Sequence, residues 1–272
     1  MPISQSEREK LRAHTFSEDK EGEFGGTHKV APEISEKDMI GHSLGLLASR
    51  PSALALNMPG SAAFALYALA AFGTASAATF IFYASAFFAF GILIAAPLSS
   101  LAKARLSGMD APGVVDSMIM SLAYAEPLVA ASYVALIALA FRDAAGFTLL
   151  SAITFIVLLA VAFLLHIANL DSSISVQMAG GKKYGRSTAM NNSWMFLSGQ
   201  SMAMLAANIV SYLPLIALVP LDAFFSGTAL MPYLAVLTFI FADICASWWQ
   251  ACTSVAYGIV AKKTKPMKYS RL

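Results

Sequence analysis

Between Pro51 and Ala261 the chain is a succession of apolar blocks separated by short polar breaks, and this feature limits the fold more than any other. Crossing ~30 Å of hydrocarbon takes about 20 helical residues, and the blocks meet that length. Within a bilayer no water satisfies the backbone, so only helices and closed barrels can span it. A barrel strand would alternate polar and apolar residues with period two, and the blocks show no such alternation. With 58% hydrophobic and 12% charged residues, the composition lies outside the balance of soluble domains. The expectation is an all-α integral membrane protein.

The polar breaks divide the blocks into six spans, at about 57–73, 77–101, 114–141, 147–170, 190–219 and 230–260. "AKARLSGMDAPG", "FRDAAG", "DSSISVQMAGGKKYGRST" and "VPLDAFFSG" supply the Gly, Pro and Asp of turns and helix caps. "FGTASAATF" fits either a tight hairpin between the first two spans or one bent segment. The basic residues support six spans by a separate route. Lys103, Arg105, Lys182, Lys183, Arg186, Lys262, Lys263, Lys265, Lys268 and Arg271 fall on one side, and Arg142 alone on the other. Ten against one is the positive-inside bias with both termini cytoplasmic.

Residues 1–50 read as a cytoplasmic arm and 262–272 as a basic cytoplasmic tail, flanking a six-helix domain over 51–261. The arm lacks the apolar core of a secretory signal and is too acidic for a transit peptide. Its end, 35–49, has a capping pair in Ser35 and Asp38, and Met39, Ile40, Leu44 and Leu47 follow at helical spacing. This predicts a short helix lying in the membrane interface.

Ionisable residues inside the spans are Asp116, Glu126, His166 and Asp243. A charged group at the bilayer centre costs ~2.5–3.5 kcal/mol on insertion scales, so each needs a reason to be there. Glu126 lies ~18 Å beyond Val114 and Asp243 ~20 Å beyond Leu230 at the helical rise, which places both near the midplane. Pro127 withdraws a backbone donor beside Glu126 and kinks its helix, as in the polar cavities of transporters. Fastening the bundle through a hydrogen bond is the structural alternative. Asp243, Ser247, Gln250 and Ser254 recur at spacings of four, three and four, and form a polar stripe on span six that must face protein or a cavity. Trp248 and Trp249 lie too deep for an interfacial belt and read as packing or a constriction. Cys245 and Cys252 are ~10.5 Å apart along one helix, too far to bridge, and read as small apolar fillers.

On span five, Gly199, Ala203, Ala207 and Ser211 repeat every four residues as a ridge for close helix packing or a subunit interface. Asn191, Asn192, Gln200 and Asn208 on the same span need partners, which makes this helix central. Candidate transport or proton-relay residues are therefore Glu126, Asp243, Asn208, Gln200 and Gln250. No GxSxG, HExxH, CxxC or P-loop spacing occurs, and no cluster of His and Cys suggests a metal. The expectation is a protein that is not an enzyme, carries no cofactor and has no nucleic-acid partner.

"RPSALALNMPGSAAFALYALAAFG", Arg50 to Gly73, resembles the start of the first helix of the acetate uptake transporter family, the succinate-acetate permeases. Pro51, Leu54 and Leu56 coincide with that family's Asn-Pro-Ala-Pro-Leu-Gly-Leu, and Arg50 stands in place of its Asn. Its Ser-Tyr-Gly signature has no counterpart in "DSMIMSLAYAEP", so no binding residue is carried over. The resemblance implies a six-span channel for small carboxylates. Two functional classes follow. One is a transporter or channel for a small solute, a small carboxylate or a proton-coupled substrate. The other is a non-catalytic subunit of a respiratory, photosynthetic or monooxygenase-type membrane complex. Both imply contact with lipid, a homo-oligomer or a larger assembly, and a bacterial-type or organellar inner membrane.

Overall fold

The computed structural model describes residues 36–73, 76–108, 110–124, 126–142, 149–171 and 201–263. The capping residue Ser35, the ridge residue Gly199 and the relay candidate Gln200 lie outside them, as do Asn191, Asn192, most of the arm and the end of the tail. The described residues are helical throughout apart from short connections. They belong to one compact unit, Ile34–Leu272.

The helices are α1 (Glu36–Ser49), α2 (Ser52–Gly73), α3 (Ala77–Phe90), α4 (Ala96–Ser107), α5 (Val114–Tyr124), α6 (Glu126–Arg142), α7 (Leu149–Asp171), α8 (Ser201–Phe224) and α9 (Met231–Lys263). One turn of π-helix, Gly91–Ala95, joins α3 to α4, so that Ala78–Ser107 is a single rod. Four helices are long and apolar enough to cross a membrane: Ser52–Gly73, Ala78–Ser107, Met202–Phe224 and Met231–Gly258. The bent pair α5–α6, with 44° between its halves, would be a fifth. That bend falls where Pro127 withdraws a backbone donor.

Aromatic stacking decides between the two readings of "FGTASAATF". Tyr67 stacks on Phe87 with ring centroids 4.9 Å apart and meets Phe80 at 6.2 Å, while Phe64 meets Phe87 edge-on. Pairs in that order require α2 and α3 to run antiparallel as a hairpin. At its far end Arg50 donates to the carbonyls of Arg105 and Leu106, so the start of α2 caps the end of α4. Gly108 completes that cap at φ 71°, the left-handed conformation glycine adopts without penalty. α8 and α9 form a second hairpin through a turn with Gly227 at φ 78°. Ser226 Oγ ties this turn to the Phe72 carbonyl at 2.7 Å.

α9 is the hub, packed most extensively on α2, then on α8, α1 and α4. Small residues on α9 let its neighbours approach: Cys245, Ala251, Cys252 and Ala256 are fully buried. α1 crosses this hub with Met39 against Met204 and Cys252, and Leu47 against Ala102, Leu106 and Ala251. Its buried face is Met39, Ser43 and Leu47, whereas Leu44, expected on that face, is 52% exposed. Trp248 Nε1 donates to Ser43 Oγ at 2.8 Å, which accounts for one of the two deep tryptophans. Outward faces are apolar, with Leu66, Phe82, Leu164 and Met202 each more than 60% exposed, a surface that suits hydrocarbon.

Candidate functional site

The polar stripe of α9 is buried along its whole length: Asp243, Ser247, Gln250 and Ser254 are each at most 6% exposed. It faces α2, which contributes Asn57 and Ser61 one helical turn apart. Asn57 Nδ2 donates to Ser247 Oγ at 2.8 Å and to Gln250 Oε1 at 2.9 Å. Gln250 Nε2 donates back to Asn57 Oδ1 at 2.9 Å and reaches Ser99 Oγ on α4 at 2.8 Å. Both amides thus use every N–H they possess. Ser61 Oγ bridges the Asn57 carbonyl, 3.1 Å away, and Asp243 Oδ1, 3.4 Å away. The result is a hydrogen-bonded seam through three helices with one carboxyl group in it.

Glu126 stands in a different cluster. Its Oε1 lies 3.8 Å from Lys103 Nζ of α4, and its Oε2 accepts from Ser121 of α5 at 3.3 Å. Lys103, expected in the connection between spans two and three, has a side chain only 7% exposed and is an internal cation. The helix explains the difference: α4 continues to Ser107, so Lys103 lies within it and not beyond it. Glu126 and Asp243 therefore have separate partners, the first an ammonium and the second a hydroxyl.

Two further polar groups flank α8. Asp222, expected in the connection after span five, is 1% exposed near the end of α8, where it accepts from Thr238 of α9 at 2.5 Å. α8 runs through Pro214 and Pro220, as membrane helices tolerate, and so carries Asp222 inside. Asn208 is buried on α8, and the His166 ring on α7 meets Tyr133 edge-on at 5.8 Å. Among the described residues, Asp222 Oδ1, His166 Nδ1 and Ser117 Oγ find no hydrogen-bond partner.

Ala207 and Ser211 of the small-residue ridge are fully buried against α9, with Ser211 Oγ 3.6 Å from Cys252 Sγ, and Ala203 packs beside Met204. Both cysteines are free. Asp116, in the first turn of α5, stands by Gly113 at the helix start. Among the described residues no group of three or more His, Cys, Asp and Glu comes together in a way that could hold a metal.

Asn57, Ser61, Ser99, Lys103 and Asp222 are the members that sequence reasoning missed. Asn57 and Ser61 carried a usable signal, since two polar residues four apart on an apolar span mark one face. Ser99 and Lys103 repeat that spacing on α4. No protein-family model, no curated protein and no solved structure matches the chain.

Proposed function

We propose that the protein is a membrane-embedded transporter or channel for a small polar solute, with the seam between α2, α4 and α9 lining the route. The observation that carries this reading is the seam itself. In a unit whose outward faces are apolar, six polar side chains, Asp243 among them, meet along the hub helix, held by amide and hydroxyl contacts. Such contacts can be exchanged for those of a passing solute at little net cost, because each is worth only ~0.5–1.5 kcal/mol beyond its alternative in water. The Lys103–Glu126 pair supplies a second polar layer of balanced charge.

In this reading the chain makes six crossings with both termini in the cytoplasm, in a bacterial-type or organellar inner membrane. The solute is a small carboxylate or one moved together with a proton. Purified protein in liposomes provides the test, with proton and small-solute fluxes measured for wild type, Asp243→Asn and Glu126→Gln. We expect Asp243→Asn to abolish flux while the protein remains folded and monodisperse. Unchanged flux in both variants, or none in wild type, would sink the proposal.

A second reading is favoured by the rod Ala78–Ser107, of which only 11% of the apolar window is buried. A helix so little covered by its own chain suits a subunit of a larger membrane complex. The mass and composition of the gently solubilised native particle separate the two readings. A particle of this chain alone supports transport, and fixed foreign chains support the subunit.

A further inference from the structure

The rod from Ala77 to Ser107 does not keep one register. Over Gly91–Ala95 its hydrogen bonds widen to π spacing, with Ala96 N–H donating to the Gly91 carbonyl. A π turn holds one residue more than the α turn it replaces. Every residue beyond it therefore occupies the place its predecessor would hold in an uninterrupted α-helix, a difference of about 100° in rotation and about 1.5 Å in height.

The part displaced in this way is α4, and α4 makes two of the polar contacts described above. Ser99 accepts from Gln250 at 2.8 Å, and Lys103 stands 3.8 Å from Glu126. Neighbouring helices are shaped around the same turn. A Cβ on Gly91 would fall 2.6 Å from Pro127 Cγ, and one on Gly60 would fall 3.2 Å from Ala95 Cβ. Gly60 follows Pro59 in α2, and Pro127 stands in the first turn of α6. Irregular points of three helices thus meet in one layer, next to the Ser61–Asp243 contact.

We propose that the π turn Gly91–Ala95 is a register switch that makes and breaks both contacts of α4 together. When the turn tightens to α-helix with α3 held still, Leu98 moves into the place of Ser99 and Ala102 into that of Lys103. Gln250 then loses its hydroxyl partner and Glu126 loses its ammonium in one movement. The π register is the resting state because it gives the buried Gln250 its Ser99 partner and the buried Lys103 its Glu126 partner. A solute that hydrogen-bonds to Gln250 favours the other register in proportion to its preference for it. The purpose given to the switch rests on the transport reading, but its existence is tested by helix register and not by flux.

The test is disulfide cross-linking in full-length protein in liposomes, with Cys245→Ala and Cys252→Ala removing the native thiols. Two pairs are compared, Ser99→Cys with Gln250→Cys for the resting register and Leu98→Cys with Gln250→Cys for the switched one. We expect both pairs to form. Deleting Ile92 removes the extra residue while leaving α4 in its resting place, so the Ser99 pair should persist and the Leu98 pair fall to background. Deleting Ile94 removes the same extra residue and serves as the second variant if the first does not fold. A Leu98 pair that never forms, or that survives the deletion undiminished, overturns the switch. Loss of the Ser99 pair in both deletions overturns it too, because α4 would not then sit one residue behind. Normal flux with a single register would remove the switch and leave transport standing. Two registers without flux would do the reverse.

Discussion

Asn57 and Gln250 show most directly what a buried amide requires. Each is at most 6% exposed, and each serves as donor and acceptor to the other. Asn57→Ala strands Gln250 Oε1 and the lone pairs of Ser247, and unsatisfied buried groups cost about 1–3 kcal/mol each. We expect either single alanine variant to lower the thermal midpoint in detergent clearly, and the double variant to cost less than the sum of the two. The coupling should fall within the ~0.5–3 kcal/mol found for contacting residues. Strict additivity would mean that the amides do not act as a pair. The Lys103–Glu126 pair behaves asymmetrically for a related reason. Glu126→Gln leaves an ammonium with a side chain only 7% exposed, whereas Lys103→Met leaves a carboxylate 31% exposed and within reach of polar surroundings. Stranding one partner of a buried pair costs ~3–5 kcal/mol, and we expect Glu126→Gln to approach that range and Lys103→Met to fall well short of it. Thermal or denaturant midpoints in the same detergent measure the difference, and equal losses would contradict the burial.

Elements pack here by glycine and proline as much as by large side chains. The π turn brings Gly91 so close to the Pro127 ring that a methyl group has no space, and the backbone of Gly91 is otherwise ordinary right-handed helix. We expect Gly91→Ala to destabilise by ~1–3 kcal/mol, the range for overpacking, and Pro127→Ala in that background to restore part of the loss. A rescue absent from the melting curves would place the strain elsewhere. At this scale the sequence was readable where a single helix carried the signal. The stripe on α9 follows from spacing alone, because residues four, three and four apart return to one face. The kink at Pro127 follows from a missing N–H. Lys103 was misjudged because a lysine near the end of a span looks the same whether its helix stops before it or continues four residues beyond. Asp222 was misjudged because Pro220 reads as a stop signal in water, while in a membrane helix it is tolerated. The partners of the stripe depend on which face of α2 meets α9, a property of the pair that neither helix states alone.

Over the whole molecule, the positions of the helix ends constrain how often the chain crosses the membrane. Arg50 caps the carbonyls of Arg105 and Leu106, so α2 begins at the end of the bundle where α4 finishes. Asn57, early in α2, bonds Gln250 in the second half of α9, and Met204, at the start of α8, packs on Cys252 and Ala256. The end of α4 and the start of α8 therefore lie at the same end of the bundle. In a membrane, a segment joining two points on the same side crosses an even number of times. Added to the four helices that are long and apolar enough by themselves, an even number leads us to expect a total of four or six crossings. α5–α6 is a broken apolar pair, and α7 has 23 residues, or ~34 Å of helix, so two further crossings are sterically available. The lone basic residue Arg142, at the end of α6, separates the two counts. With six crossings it lies on the side opposite both termini, and with four it shares their side. We expect Arg142→Cys, in a background with Cys245→Ala and Cys252→Ala, to react with an impermeant maleimide only from the face opposite a C-terminal reporter. Labelling from the same face would reduce the bundle to four crossings and leave α5 to α7 lying against one side of it.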